Sequence, residues 1–236
     1  GRTHGDRTVC HHRHELLMSE ERVGWGRLVS VRRLALLAAA GVVYFIISMM
    51  ALHFLRRDLS WVTKYVSDYA VGDYGYLATL AFIALGLGAL ALALGIWRGV
   101  AASRASRAGS VLIGICGACW IVVGMFRTDL EGAPATTTGS IHFAAFLFSV
   151  ASLVAGILSL SRAFKKDARW RSFAPLTLAW GLAILIVFIP GSAVMGQADG
   201  LNERILIGVM VLWLLLVANR LCSVAESAGD PHSGPT

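Results

Sequence analysis

The sequence predicts an all-α, polytopic membrane bundle of six transmembrane helices with both chain ends in the cytoplasm. Three observations predict it. The 236 residues are 56% hydrophobic and only 15% charged, whereas about 25% of a soluble domain is charged. The apolar residues gather in blocks long enough to cross a hydrocarbon core of about 30 Å, which takes roughly 20 residues at about 1.5 Å each. The basic residues fall in the short stretches between those blocks, mostly on one side of them.

Residues 1–33 are expected to form a cytoplasmic, largely disordered tail that ends in a basic juxtamembrane segment. The run Cys10-His11-His12-Arg13-His14 has metal-binding residue types, but its polar, aperiodic surroundings fit a tail better. Met18 opens the stretch Met-Ser-Glu-Glu-Arg, and whether the residues before it belong to the working protein is left open. From Trp25 to Arg33, Trp25, Leu28, Val29 and spaced arginines suit a negatively charged leaflet.

Six spans follow within a transmembrane domain over residues 34–221: Leu34–Leu55, Tyr74–Trp97, Gly109–Phe126, Ile141–Ser161, Phe173–Met195 and Ile205–Ala218. The first is too long for a signal-peptide core of roughly 7–15 residues and lacks a small-x-small cleavage pattern, so a retained helix is expected. The third and sixth are short and should extend into their flanks. Pro190-Gly191 should kink or unwind the fifth. Residues 222–236 are expected as a second disordered cytoplasmic tail.

Orientation follows from the cations. With the N-terminus inside, sixteen Lys and Arg lie in inner segments and five in outer ones (Arg56, Arg57, Lys64, Arg127 and Arg204). Cytoplasmic loops carry the excess, so both termini are expected inside a plasma membrane. In the first outer segment, Leu59, Val62, Val66 and Tyr69 recur at helical spacing among aromatic residues, which predicts an interfacial helix. Ala84 and Gly88, Ser152 and Gly156, and Ala179 and Ala183 are small pairs spaced for close helix packing.

Several function classes find no support. The net charge of +7 is spread as topology signals and lipid contacts, so no nucleic-acid partner is expected; membrane lipids are. Four cysteines, two inside an apolar block, make no disulfide framework. No phosphate-binding loop, dinucleotide turn, paired-His zinc helix or serine elbow occurs, and neither cofactor nor metal is expected. Cys116-Gly-Ala-Cys119 has redox spacing, but within a span cysteine packs as a small apolar residue.

Ionisable residues are nearly absent from the spans and collect at the predicted outer ends. Glu203, after Asn202, suits the start of the sixth helix, whereas Arg204 is at the wrong end of that dipole and should need an acidic partner. Asp129 follows the end of the third helix, again unfavourable for an anion. One reading brings Asp68, Asp129, His142 and Arg204 to a shared polar ligand site; the other leaves them as separate caps and ion pairs.

The stretch Ser67-Asp68-Tyr69-Ala70-Val71-Gly72-Asp73-Tyr74-Gly75 resembles a motif of the bacterial and archaeal membrane family known as domain-of-unknown-function family 998. So do Gly124-Met-Phe-Arg-Thr-Asp129 with Thr138-Gly139-Ser140-Ile141-His142, and Gly200-Leu-Asn-Glu203-Arg204 with Trp213. The likeness runs from roughly Leu34 to Leu221. Arg127 departs from the proline expected before the Thr-Asp pair and offers Asp129 a cation. The resemblance implies six helices and marks Asp68, Asp129, His142, Glu203 and Arg204; it implies no reaction.

Three functions stay open. The favoured one binds or moves a small solute or lipid through an extracytoplasmic polar site. The second is a membrane-embedded lipid hydrolase in which Asp68 or Asp129 with His142, and His53 as a further ligand, hold a metal or act as acid and base. The third is a scaffold or accessory subunit, and the catalytic residues of any reaction are unknown.

Overall fold

A computed structural model describes the backbone of residues 5–194 and 198–227, and the side chains of residues 29–189 and 198–227. Among the described residues six α-helices make the fold: α1 (Gly5–Leu55), α2 (Gly75–Gly99), α3 (Arg104–Met125), α4 (Thr137–Lys166), α5 (Ala174–Val194) and α6 (Asp199–Ser227). Each contains a stretch long and apolar enough to cross a membrane, and no strand occurs among the described residues. Each helix packs on the next in sequence and α6 returns against α1, which closes a ring.

Helices surrounded by lipid gain little from burying apolar surface against one another, so close backbone approach carries much of the packing. Gly41 of α1 faces Ala84 and Gly88 of α2: a Cβ on Gly41 would lie 2.5 Å from the Ala84 carbonyl oxygen and 3.0 Å from Gly88 Cα. Gly86 and Gly117 bring α2 and α3 together in the same way, each meeting the other's carbonyl at 2.6–2.7 Å. The small pair Ser152 and Gly156 faces α3, where Gly156 meets Leu112 and Ile113. Above these contacts the fully buried Trp120 gathers Phe45, Phe82 and Phe146 from three other helices, with ring centroids 5.7–6.1 Å apart.

The end of the bundle that carries the chain termini is braced by charge. Arg32 of α1 pairs with Glu226 of α6 at 2.9 Å, and Arg98 donates to Ser30 Oγ at 2.8 Å. Burial alone would raise the Asp167 carboxyl, but the Arg169 guanidinium and the backbone N–H groups of Ala101 and Arg169 outweigh it and hold it low. Trp170 stacks on Phe164 at 4.4 Å beneath this loop.

Some boundaries differ from the sequence reading. The chain before residue 34, expected as a disordered tail, is helical from Gly5, and Val31 is already buried. Residues 222–227 extend α6 instead of opening a tail, because Val224 and Ala225 are buried and Glu226 has its cation. Residues 1–4 and 228–236, and the side chains of Cys10 to His14, lie outside the described residues. The third and sixth helices do reach into their flanks, and α5 stays helical through Pro190 to Val194.

The largest difference is the α1–α2 connection. It is no interfacial helix: it folds as successive turns with one short 3-10 segment, Ser67–Ala70. Val66 and Tyr69 are apolar at helical spacing because they insert into the bundle, where both are buried. The connection turns back through Gly72 (φ 82°) and Tyr74 (φ 59°), and the Arg56 guanidinium binds the carbonyls of Val71 and Asp73 at 2.9 and 3.1 Å.

The glycine contacts give a direct test. Gly41→Ala should destabilise the α1–α2 pair by about 1–3 kcal/mol, the usual penalty for overpacking, and lower the melting temperature in detergent. Gly208→Ala should leave it unchanged, because nothing lies within 4 Å of a Cβ there.

Candidate functional site

The site is built where α6 begins. Buried backbone polar groups need partners, and the first turns of α6 supply them to the α1–α2 connection. Leu201 N–H donates to the Val62 carbonyl at 2.9 Å, and Glu203 Oε2 accepts from Val66 N–H at 2.5 Å. Arg204 Nη1 donates to the Lys64 carbonyl at 2.6 Å and the Gly200 carbonyl at 2.8 Å. Gly200 lies so close to the Lys64 backbone that a Cβ would collide with it. The helix therefore clamps the connection by its main chain.

Arg204 then reaches the buried side of the connection. Its Nε donates to His53 Nε2 at 3.0 Å, and its guanidinium lies 5.5 Å from the Tyr69 ring. His53 Nδ1 faces the Met49 carbonyl at 2.6 Å. A carbonyl can only accept, so Nδ1 carries the hydrogen and Nε2 is the acceptor that Arg204 needs. The acidic partner expected for Arg204 is replaced by two carbonyls and an imidazole. Asp68 is 2% exposed: Oδ2 accepts from Tyr65 N–H at 3.0 Å, while Oδ1 has no partner. Burial pushes its carboxyl up, although Lys64 and Arg204 pull it back.

The opposite wall comes from the α3–α4 connection and the start of α4. Asp129 sits beyond α3 and caps the next helix: Oδ2 accepts from Thr136 N–H at 2.8 Å and Oδ1 from Thr136 Oγ1 at 2.7 Å. Thr136 in turn accepts from Gly139 N–H at 3.1 Å. The Thr136 N–H and hydroxyl hold the Asp129 carboxyl below the usual carboxylate range. Arg127 is exposed and pairs with no carboxylate among the described residues, so the charge on Asp129 serves the N-terminus of α4. Gly139 leaves room for it: a Cβ would collide with the carboxylate.

His142, 5% exposed, ties α4 to α3. Its Nδ1 contacts the carbonyls of Phe126 at 2.8 Å and Val123 at 3.0 Å, so Nδ1 is the protonated nitrogen. Nε2 has no partner among the described residues.

Between these walls lies a cleft of about 710 Å³. Tyr65 and Ser67 line it from the α1–α2 connection, Thr128, Asp129, Ser140 and His142 from α3–α4, and Asp199, Asn202 and Glu203 from α6. Its remaining wall is apolar: Phe143, Phe146 and Leu147 of α4, Phe188 and Ile189 of α5, and Leu206 of α6. Phe143 and Ile189 are 62% and 68% exposed, so this wall faces out of the bundle.

The structure divides the four residues that one of the two readings brings to a shared site. Asp129 and His142 line the cleft together with Glu203, whereas Asp68 and Arg204 stand behind its wall, around Tyr69 and His53. Starting α6 at Asp199 moves Glu203 out of the capping turn and toward Val66. Sequence reasoning missed Tyr65, Ser67, Thr128 and Asp199. Burial, and then the neighbouring Asp199, raise the Tyr65 hydroxyl, a property of the fold with no counterpart in the local sequence.

The profile of a family described as "Protein of unknown function (DUF998)" matches residues 38–220. The chain belongs to the DUF998 family. The match takes in the α1–α2 connection, both cleft walls and the clamp at the start of α6, so the site of this DUF998 protein lies within the matched region. No curated protein and no solved structure matches the chain. Six apolar helices and this membership make it an integral, multi-pass membrane protein.

Asp68 gives the pH test. Its folded carboxyl titrates above the ordinary 3.8, so its ionised form opposes folding at neutral pH, and that penalty disappears as pH falls to 3.8. Asp68→Asn keeps an acceptor for Tyr65 N–H. It should raise the melting temperature over wild type at pH 7, with the gain shrinking toward pH 4.

Proposed function

We propose that this protein binds, and through that binding presents or moves, a small solute or lipid in the cleft at the extracytoplasmic end of the bundle. The observation that carries the proposal is the division of the cleft's lining. Hydrogen-bonding side chains occupy the end nearest the loops, and aromatic and aliphatic ones occupy a wall that leaves the bundle between α4 and α5. An amphiphile fits such a lining, with its head among the polar groups and its chain along Phe143, Leu147 and Ile189. A volume of about 710 Å³ falls within the roughly 300–1,000 Å³ of ordinary ligand sites.

The excess of sixteen inner over five outer cations supports the side assigned to the cleft, in a plasma membrane with both termini cytoplasmic. Supporting access is the light burial of α5: 22% of its most apolar window is buried, against 50% for α2, α4 and α6. The metal-hydrolase alternative draws little from the geometry. His53 is engaged by Arg204 and Met49 and does not line the cleft, and no group of three His, Cys, Asp or Glu suited to a metal occurs among the described residues.

Native mass spectrometry of the protein released from its own membrane tests this function. Wild type should retain a bound amphiphile. Leu147→Trp, which places an indole across the apolar wall at a partly exposed position, should lose most of it while keeping its helical circular dichroism. Equal retention by both proteins, or none by either, would remove the cleft as a binding site.

A further inference from the structure

The geometry points to a primary ammonium as the head of the molecule that the cleft takes. The inference rests on the cleft being a binding site and adds the chemistry of its occupant.

The acidic and imidazole groups of the polar lining present acceptors, beside hydroxyls and the Asn202 amide that can both donate and accept. His142 is 95% buried by its 5% exposure, lines the cleft, and has already given its Nδ1 hydrogen to the carbonyls of Phe126 and Val123. In this tautomer the ring offers the lone pair of Nε2, which no described residue uses. Glu203 has spent Oε2 on Val66 N–H, and Oε1 has no hydrogen-bond partner among the described residues. Asp199, at the first turn of α6 beside Tyr65, adds a further carboxylate. Among the described residues no Lys or Arg lines the cleft: Lys64 is paired with Glu131 at 2.9 Å, and Arg204 is turned to His53 and the Lys64 carbonyl.

The helix ends do not reverse this balance. The N-termini of α4 and α6 both meet the cleft, each equivalent to about +0.5 charge. Three acidic side chains, Asp129, Asp199 and Glu203, stand against those two ends, and no described Lys or Arg joins them in the lining. An anionic head would meet uncompensated negative charge. A quaternary ammonium would satisfy the charge but leave the lone pairs of Nε2 and Oε1 without hydrogens. A primary ammonium has three N–H donors to give, and its alkyl chain can follow the apolar wall. This chemistry occurs both in free alkylamines and in the ethanolamine head of a phospholipid.

The test compares four amphiphiles of one chain length on the full-length protein in phosphatidylcholine nanodiscs: dodecylamine, dodecyltrimethylammonium, dodecanol and dodecyl sulfate. Dodecylamine should bind saturably and about tenfold or more tighter than each of the others, as expected for one charge-assisted hydrogen bond. Glu203→Gln and Asp199→Asn should each weaken it about tenfold while dodecanol binding stays as in wild type. No hydrogen bond joins the Asp199 side chain to the α1–α2 backbone among the described residues, so its variant answers even if Glu203→Gln loosens the clamp. Competition by phosphatidylethanolamine would assign the head to a lipid, and its absence would assign it to a free amine. If dodecyl sulfate or dodecanol binds as well as the amine and Leu147→Trp abolishes that binding, the cleft stands and the ammonium is wrong. If no amphiphile binds in a manner sensitive to Leu147→Trp, both fall.

Discussion

A length of irregular backbone inserted into a membrane bundle must have its polar groups bound by protein, since lipid offers no partners. That constraint governs this structure. The α1–α2 connection sends Val66 and Tyr69 into the bundle and so buries main-chain groups along with them. The first turns of α6 answer with Leu201 N–H, the Glu203 carboxylate and the Arg204 guanidinium, while Arg56 ties down the far limb. Gly200 is required because any side chain there would occupy the space of the Lys64 carbonyl.

The cleft follows from the clamp. Holding the connection against α6 places Tyr65 and Ser67 opposite Thr128 and His142, with the beginning of α4 held in place by Asp129 and Thr136. Two helix N-termini and a buried loop then surround one volume, and the polar residues gathered there need no charge deep in any span. Arg204 and Asp68 support this arrangement from behind. Arg204 fixes the His53 tautomer and the Lys64 carbonyl, and Asp68 fixes the turn at Tyr65.

The spans were legible because length, apolarity and flanking cations are properties of local sequence. Small pairs such as Ala84 and Gly88 were legible for the same reason, since four-residue spacing puts both on one helix face. The α1–α2 connection was not. Leu59, Val62, Val66 and Tyr69 have the period of an amphipathic helix, yet the partners that hold them are main-chain carbonyls and amides, which carry no residue signature. The one available hint was Gly200, three residues before the motif's Glu203. Asp129 does follow the end of α3, but its partner, Thr136, lies across a loop containing Pro134 and was not foreseen; the run Thr136-Thr137-Thr138 was the capping signal. Cleft residues such as Tyr65, outside the motifs, and Thr128, inside one, come together only through tertiary packing.

Hydrogen–deuterium exchange of the α1–α2 connection in lipid nanodiscs tests the clamp most directly. Amides from Lys64 to Tyr69 should exchange slowly in the wild-type protein, as groups bonded inside the bundle do, and Glu203→Ala should speed exchange at Val66 ahead of the neighbouring helices. Complete exchange of that connection at the earliest time point, equal in wild type and variant, would mean that α6 does not hold it.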